Sequence, residues 1–177
     1  MSKASDIHEW KKSERGVTLL LAALTMFVVL AMAALAIDVA SLYVAKSESQ
    51  RSAEAGAMAA ARTLVAAGVT GDPSNSSDIW QTACAAAIQQ AQFVAGQNKV
   101  GGAAPSAAQV TVTFPNAPNK TDCSGTNSIF GINPQVAVSV QRNDLPTFFS
   151  RIWRKNPIIV SSSATAEAFN PSNSGSI

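Results

Sequence analysis

Reactive side chains are scarce in this sequence. Its 177 residues include one histidine and two cysteines, and aromatics make up only 6%. One His cannot anchor a metal-ligand set, and the two cysteines lack any C-x-x-C spacing, so metal, redox and nucleophilic chemistry have few ingredients. Charge is sparse as well, at 14% against about 25% in an ordinary soluble domain. That balance excludes a disordered chain, which needs much charge and little apolar content. The net charge of +2 is too small to point to nucleic acid. No catalytic constellation, no cofactor site and no metal site emerges. What is abundant is alanine, with 32 copies in a chain that is 47% hydrophobic. Small apolar side chains bury little area each, which predicts a core of modest depth.

Charge is also unevenly placed. Residues 1–15 hold seven charged side chains, whereas Val17 to Ile37 hold none. A helix of that length rises about 30 Å, the thickness of a bilayer's hydrocarbon core. Residues 17–37 are therefore expected to form a transmembrane helix, preceded by a cytoplasmic tail over 1–16. Lys3, Lys11, Lys12 and Arg15 precede the span and Lys46 and Arg51 follow it, which favours a cytoplasmic N-terminus. Cleavage as a secretory signal is the competing reading, and the Ala-rich end of the span offers a small-residue pattern for it. The apolar run is longer than a signal-peptide core, which favours an uncleaved signal anchor. Asp38 is expected at the outer interface as a hydrated charge, with Tyr43 in an interfacial aromatic belt.

From Asp38 to Ala67 the chain has no proline and one glycine, so the same helix is expected to continue over 38–68 until Gly68 stops it. Ser41, Ala45, Ser49, Ala53, Ala57 and Ala61 recur every four residues, with a second row at Ser52, Gly56 and Ala60. Such rows make a strip where another backbone can approach closely. The strip is either plain helix propensity or a packing seam for the chain's own second helix or for a partner, a second copy of the chain included.

Residues 69–169 read as an extracytoplasmic α+β domain, and 170–177 as a flexible tail. A loop over 72–77 leads to Asp78 as an N-cap and to a second helix over Ile79–Gln97, with Ile79, Ala83, Ala87, Ala91, Phe93 and Val94 on its apolar side. Alternation predicts strands over Gln109–Phe114, Gln135–Arg142 and Ile158–Phe169, the last with Val160, Ser162, Ala164 and Ala166 on one face. A short amphipathic helix is expected over 144–153, with Phe148, Phe149 and Ile152 inward. The layout is a small antiparallel sheet of about three strands with helices on one side. Outside the cytoplasm, a disulfide between Cys84 and Cys123 is the default, two separate thiols being the alternative.

Arg15-Gly16 before an apolar span, followed by LAIDVASLYVAKSESQRSAEAGAMAAA, resembles the N-terminal region of TadE/TadG-like Flp (tight adherence) pilus assembly proteins. Asp38, Tyr43, Gln50 and Glu54 fall on that family's pattern, with Glu54 in place of the usual Asp. The stretch VQRNDLPTFFSRIWRKNPIIVSSSATAEAF, with Pro146, Phe148 and Phe149, is similar to the family's C-terminal ending. The resemblance implies an inner-membrane-anchored, non-catalytic component of a bacterial Tad/Flp pilus and secretion system. Its implied partners are the lipid bilayer and other Tad/Flp components such as TadE/TadF-like pseudopilins. Related pseudopilins are cut after a Gly and carry Glu five residues on. Here the Gly16–Val17 bond is present but the fifth residue is Leu21, so an anchored TadG-like factor fits better than a filament subunit cut after Gly16. A generic signal-anchored adhesin would share the topology without the pilus.

Overall fold

A computed structural model describes residues 4–70, 76–117, 119–121, 123, 133–145, 147, 149, 152 and 157–169, with side chains from 16 in the first helix and from 79 in the second. Residues 72–75 of the loop expected at 72–77, the side chains of Arg15 and Asp78, Pro146, Phe148, half of the helix expected over 144–153 and the tail at 170–177 lie outside these residues; Ser76 and Ser77 belong to the second helix rather than to the loop, and Asp144, Leu145, Thr147 and Phe149 are not helical. Described residues follow the order α1 (Ala4–Ala66), α2 (Ser76–Gln97), a 3-10 turn (Ala107–Gln109), β1 (Val110–Thr113), β2 (Gln135–Arg142) and β3 (Val160–Glu167). Contacts divide the chain into two compact units, residues 1–40 with 147–155, and residues 41–146 with 156–177.

The first unit is built on the N-terminal part of α1. The helix begins at Ala4, not at the start of the apolar run, because residues 4–16 contain no proline and nothing stops the helix short of the span. From Gly16 to Ile37 almost every side chain is exposed, with leucine, valine, methionine and phenylalanine on all faces. The most apolar 18-residue window has none of its residues buried. A helix apolar all round and uncovered by protein has the composition and length of a membrane span.

The second unit holds the core. Its sheet is antiparallel in the order β1-β2-β3, with Val112 opposite Val138 and Val138 opposite Ala164. Side-chain alternation decides the faces: Val136, Val138, Val140 and Arg142 of β2 are buried, while Gln141 on the other parity is exposed. The buried face meets residues 45–64 of α1 and the inner stripe of α2. That stripe is Trp80, Ala83, Cys84, Ala87, Ala91 and Ala95. Ile79 and Phe93, expected on the apolar side, are instead exposed. At about 100° per residue, Phe93 stands some 200° from Ala91 and so points away from the core. Trp80 meets Phe114 edge to face, with centroids 5.1 Å apart, and supplies the bulk that the alanines lack.

The end of α1 follows from one residue. Gly68 adopts φ +77°, a left-handed conformation that costs glycine little. Its N–H donates to Val65 O at 3.0 Å, and the Val69 N–H donates to Leu64 O at 3.2 Å. This is a Schellman cap, sealed by the buried pair Leu64 and Val69.

Candidate functional site

The row of small residues on α1 is a packing seam within the second unit. Ala45, Ser49, Ala53, Ala57 and Ala61 are all buried, as are Ser52, Gly56 and Ala60. Ser41 is exposed, one turn before the helix is covered by the rest of the unit. The two rows face different partners. Ser49 Oγ donates to Val140 O of β2 at 3.2 Å, and Ser52 Oγ donates to Ala95 O of α2 at 2.9 Å. Between them lies Gly56, where an added Cβ would stand 3.1 Å from Ala91 O, 3.3 Å from Ala95 Cβ and 3.3 Å from Val138 Cγ1. The chain's own α2 and sheet thus occupy the seam, and serine and glycine let three backbones converge there.

Alongside the seam, α1 reaches the outer edge of the sheet. Lys46 Nζ donates to Ser161 O, and Gln50 Nε2 reaches Ser163 O at 3.5 Å while donating to Glu54 Oε1 at 2.9 Å. Ser162 Oγ returns a bond to Lys46 O at 3.3 Å. Gln50 is half-buried and Glu54 exposed.

A polar cluster that the sequence reading missed closes the other end of the sheet. Arg142, 3% exposed, donates through Nη1 to Val100 O at 2.8 Å and to Ala103 O at 2.7 Å. Its Nε and Nη2 meet the Asp144 carboxylate at 2.6 and 3.1 Å. The two carbonyls flank Gly101 and Gly102, both at positive φ. Gly101 N–H donates to Glu48 Oε2 of α1 at 2.7 Å, and a Cβ there would overlap Leu145. Arg142 therefore holds a glycine turn between α1 and β2. The hydrogen bond from Arg142, with its positive charge, lowers the Asp144 carboxyl below the usual range, against partial desolvation. The signal in the sequence was parity: Arg142 follows Val136, Val138 and Val140 on the inward face.

Asp38 departs from its expected place. It is 2% exposed rather than hydrated, and its Oδ2 accepts the Phe149 N–H at 2.9 Å. A carboxylate emerging from an apolar helix loses hydration wherever chain covers it, and a backbone donor then compensates. Ile152, expected inward, is 68% exposed. Tyr43 is 79% exposed, and Gly16 and Val17 lie uncovered inside α1.

Cys84, fully buried on α2, is joined to Cys123 with S–S 2.01 Å and Cα–Cα 5.7 Å. Among the described residues no three His, Cys, Asp or Glu groups come together as metal ligands. An open cleft of about 560 Å³ between α1 and α2 is lined by Met58, Arg62, Thr63, Gln90 and Val94, with one charged group and no acid–base pair. The hydrogen bonds of the seam and of the Arg142 cluster hold backbone segments together.

Residues 16–63 match the model of the TadE/G-like Flp pilus-assembly family. No curated protein and no solved structure matches the chain. The matched stretch contains the apolar run, Asp38, Tyr43, Gln50, Glu54 and the whole row from Ser41 to Ala61. The resemblance at 140–169 falls outside it. Residues 16–63, just over a quarter of the chain, are thus similar to a TadE/G-like Flp pilus-assembly domain.

Proposed function

We propose that the chain is a non-catalytic, single-pass component of the inner membrane that serves pilus assembly through protein contacts. Residues 17–37 span the bilayer, the basic tail over 1–16 is cytoplasmic, and the domain over 69–169 lies outside the cytoplasm with the 38–68 part of the helix. The observation that carries this reading is the uncovered apolar surface of α1 from Gly16 to Ile37, which only lipid or another apolar helix can shield. The disulfide Cys84–Cys123 supports an oxidising compartment for the domain. Partners are other Flp pilus components. Because its own fold fills the small-residue seam, contacts to them, or to a second copy, use the apolar span or the exposed face of Arg51, Met58 and Arg62.

Intact-mass measurement of the protein extracted from membranes tests the anchor. Residues 1–16 remain attached to the span if the chain is an assembly factor, whereas an N-terminus at Val17 would replace that reading by a filament subunit. Alkaline phosphatase, active only where its disulfides form, reports orientation. Activity is expected for a fusion after Phe169, and its absence there refutes the stated topology.

A further inference from the structure

The part of α1 within the second unit, residues 41–66, carries five charged side chains, and the fold uses three of them. Lys46 donates to Ser161 O, Glu48 accepts the Gly101 N–H at 2.7 Å, and Glu54, on the β3 side, accepts from Gln50 at 2.9 Å. Arg51 and Arg62 remain. Both are exposed, and neither makes an ion pair among the described residues. They are three helical turns apart with a residual rotation of about 20°, so they stand on one face, about 16 Å from each other along the axis. Met58 lies between them on that face and is 63% exposed.

The open cleft beside Met58 and Arg62 has α2 as its second wall. The two helices run antiparallel there, since Ser52 meets Ala95 and Gly56 meets Ala91. From Ile79 to Gln97, α2 has no charged residue, where about one in four is ordinary. Its exposed side is mostly alanine and glutamine, with Phe93 61% exposed. A face that presents methionine, phenylalanine and arginine, and no lysine or carboxylate, has the composition of a protein interface. Copies of the chain anchored in one membrane send α1 out of it in the same direction, so side by side their arginines would meet like charge with like. We infer that the groove between α1 and α2 receives a helix of a different protein, one with an apolar stripe for Met58 and Phe93 and two carboxylates about 16 Å apart for Arg51 and Arg62. This inference rests on the proposed role in pilus assembly and gives the chemistry of the partner.

The test places a photoreactive benzophenone side chain at Met58 or at Phe93 of the full chain, in the membranes of its own cells, with Gln141 on the exposed face of β2 as the control position. Crosslinked peptides are sequenced by mass spectrometry. Met58 and Phe93 are expected to capture one and the same segment of another protein, helical in pattern and bearing two acids about three turns apart, while Gln141 does not. Reversing both charges, Arg51→Glu with Arg62→Glu, should lower the Met58 yield roughly tenfold, and Arg51→Lys with Arg62→Lys should keep it. A crosslink between two copies of this chain, capture of a segment without acids, or a yield unmoved by charge reversal overturns the inference. So does the absence of any crosslink. Sedimentation of the same sample reads the anchor separately: a chain in the soluble fraction refutes the membrane role whatever the crosslink shows.

Discussion

Replacing Arg142 by Ala removes four N–H donations from one buried side chain, and their settings differ. The Val100 residue is fully buried, so its carbonyl would be orphaned away from water, at about 1–3 kcal/mol. Ala103 is exposed, and water can take the place of the guanidinium there. The Asp144 side chain is 56% exposed, so the ion pair contributes about 0–1 kcal/mol. Loss of the buried aliphatic stem adds about 1 kcal/mol. Arg142→Ala should therefore destabilise the second unit by about 3 kcal/mol, and Asp144→Ala by about 1 kcal/mol or less. For a chain of this size the former corresponds to a fall in Tm of roughly 6–12 °C. Near-ultraviolet circular dichroism of the Trp80–Phe114 pair during heating of the full chain in detergent provides the readout. If Asp144→Ala cost as much as Arg142→Ala, the ion pair rather than the hold on the glycine turn would be the stabilising element, and the account of the cluster would be wrong.

Three further outcomes follow from the same geometry. Gly56→Ala gains about 1 kcal/mol of helix propensity but crowds three neighbours, one of them a backbone carbonyl; a net loss of about 1 kcal/mol is expected, and about 3 kcal/mol or more for Gly56→Leu. A rise in Tm for Gly56→Ala would show that the seam has slack. Asp144 has its pKa lowered on folding, so its contribution is present above the unfolded value of about 3.9 and disappears as pH falls through the folded value. The Tm gap between the native chain and Asp144→Asn should hold from pH 7 to about pH 5 and close in stronger acid; a gap that widens in acid contradicts the assignment. Reducing Cys84–Cys123, which closes a loop with a sequence separation of 39, should cost about 4 kcal/mol in the chain-entropy model. Equal melting with and without reductant would mean that the bridge constrains nothing.

Local patterns made much of this architecture legible before any coordinates. Alternation gave β2 its observed limits, Gln135–Arg142, and put Val160 and Ser162 on the inward face of β3, although β3 itself is shorter than expected. The four-residue spacing from Ala45 to Ala61 marked the face of α1 that is buried, while Ser41, on the same row, is not. What stayed hidden depends on partners distant in sequence. Asp38 looked like a solvated interfacial charge because its donor, Phe149, is 111 residues away. Arg142 looked like a strand end because the turn it holds lies some 40 residues earlier. Phe93 was placed inward from its residue type, whereas helical phase turns it outward.

Lys46 and Gln50 have a consequence for how such chains associate. β3 is an edge strand, and free carbonyls on an edge are templates for another strand. Two successive turns of α1 place polar side chains on the carbonyls of Ser161 and Ser163. Strand addition at that edge would first require the helix to peel away and open the Ser49 and Ser52 bonds beneath it. Another copy of the chain is thereby kept from adding a strand at the β3 edge.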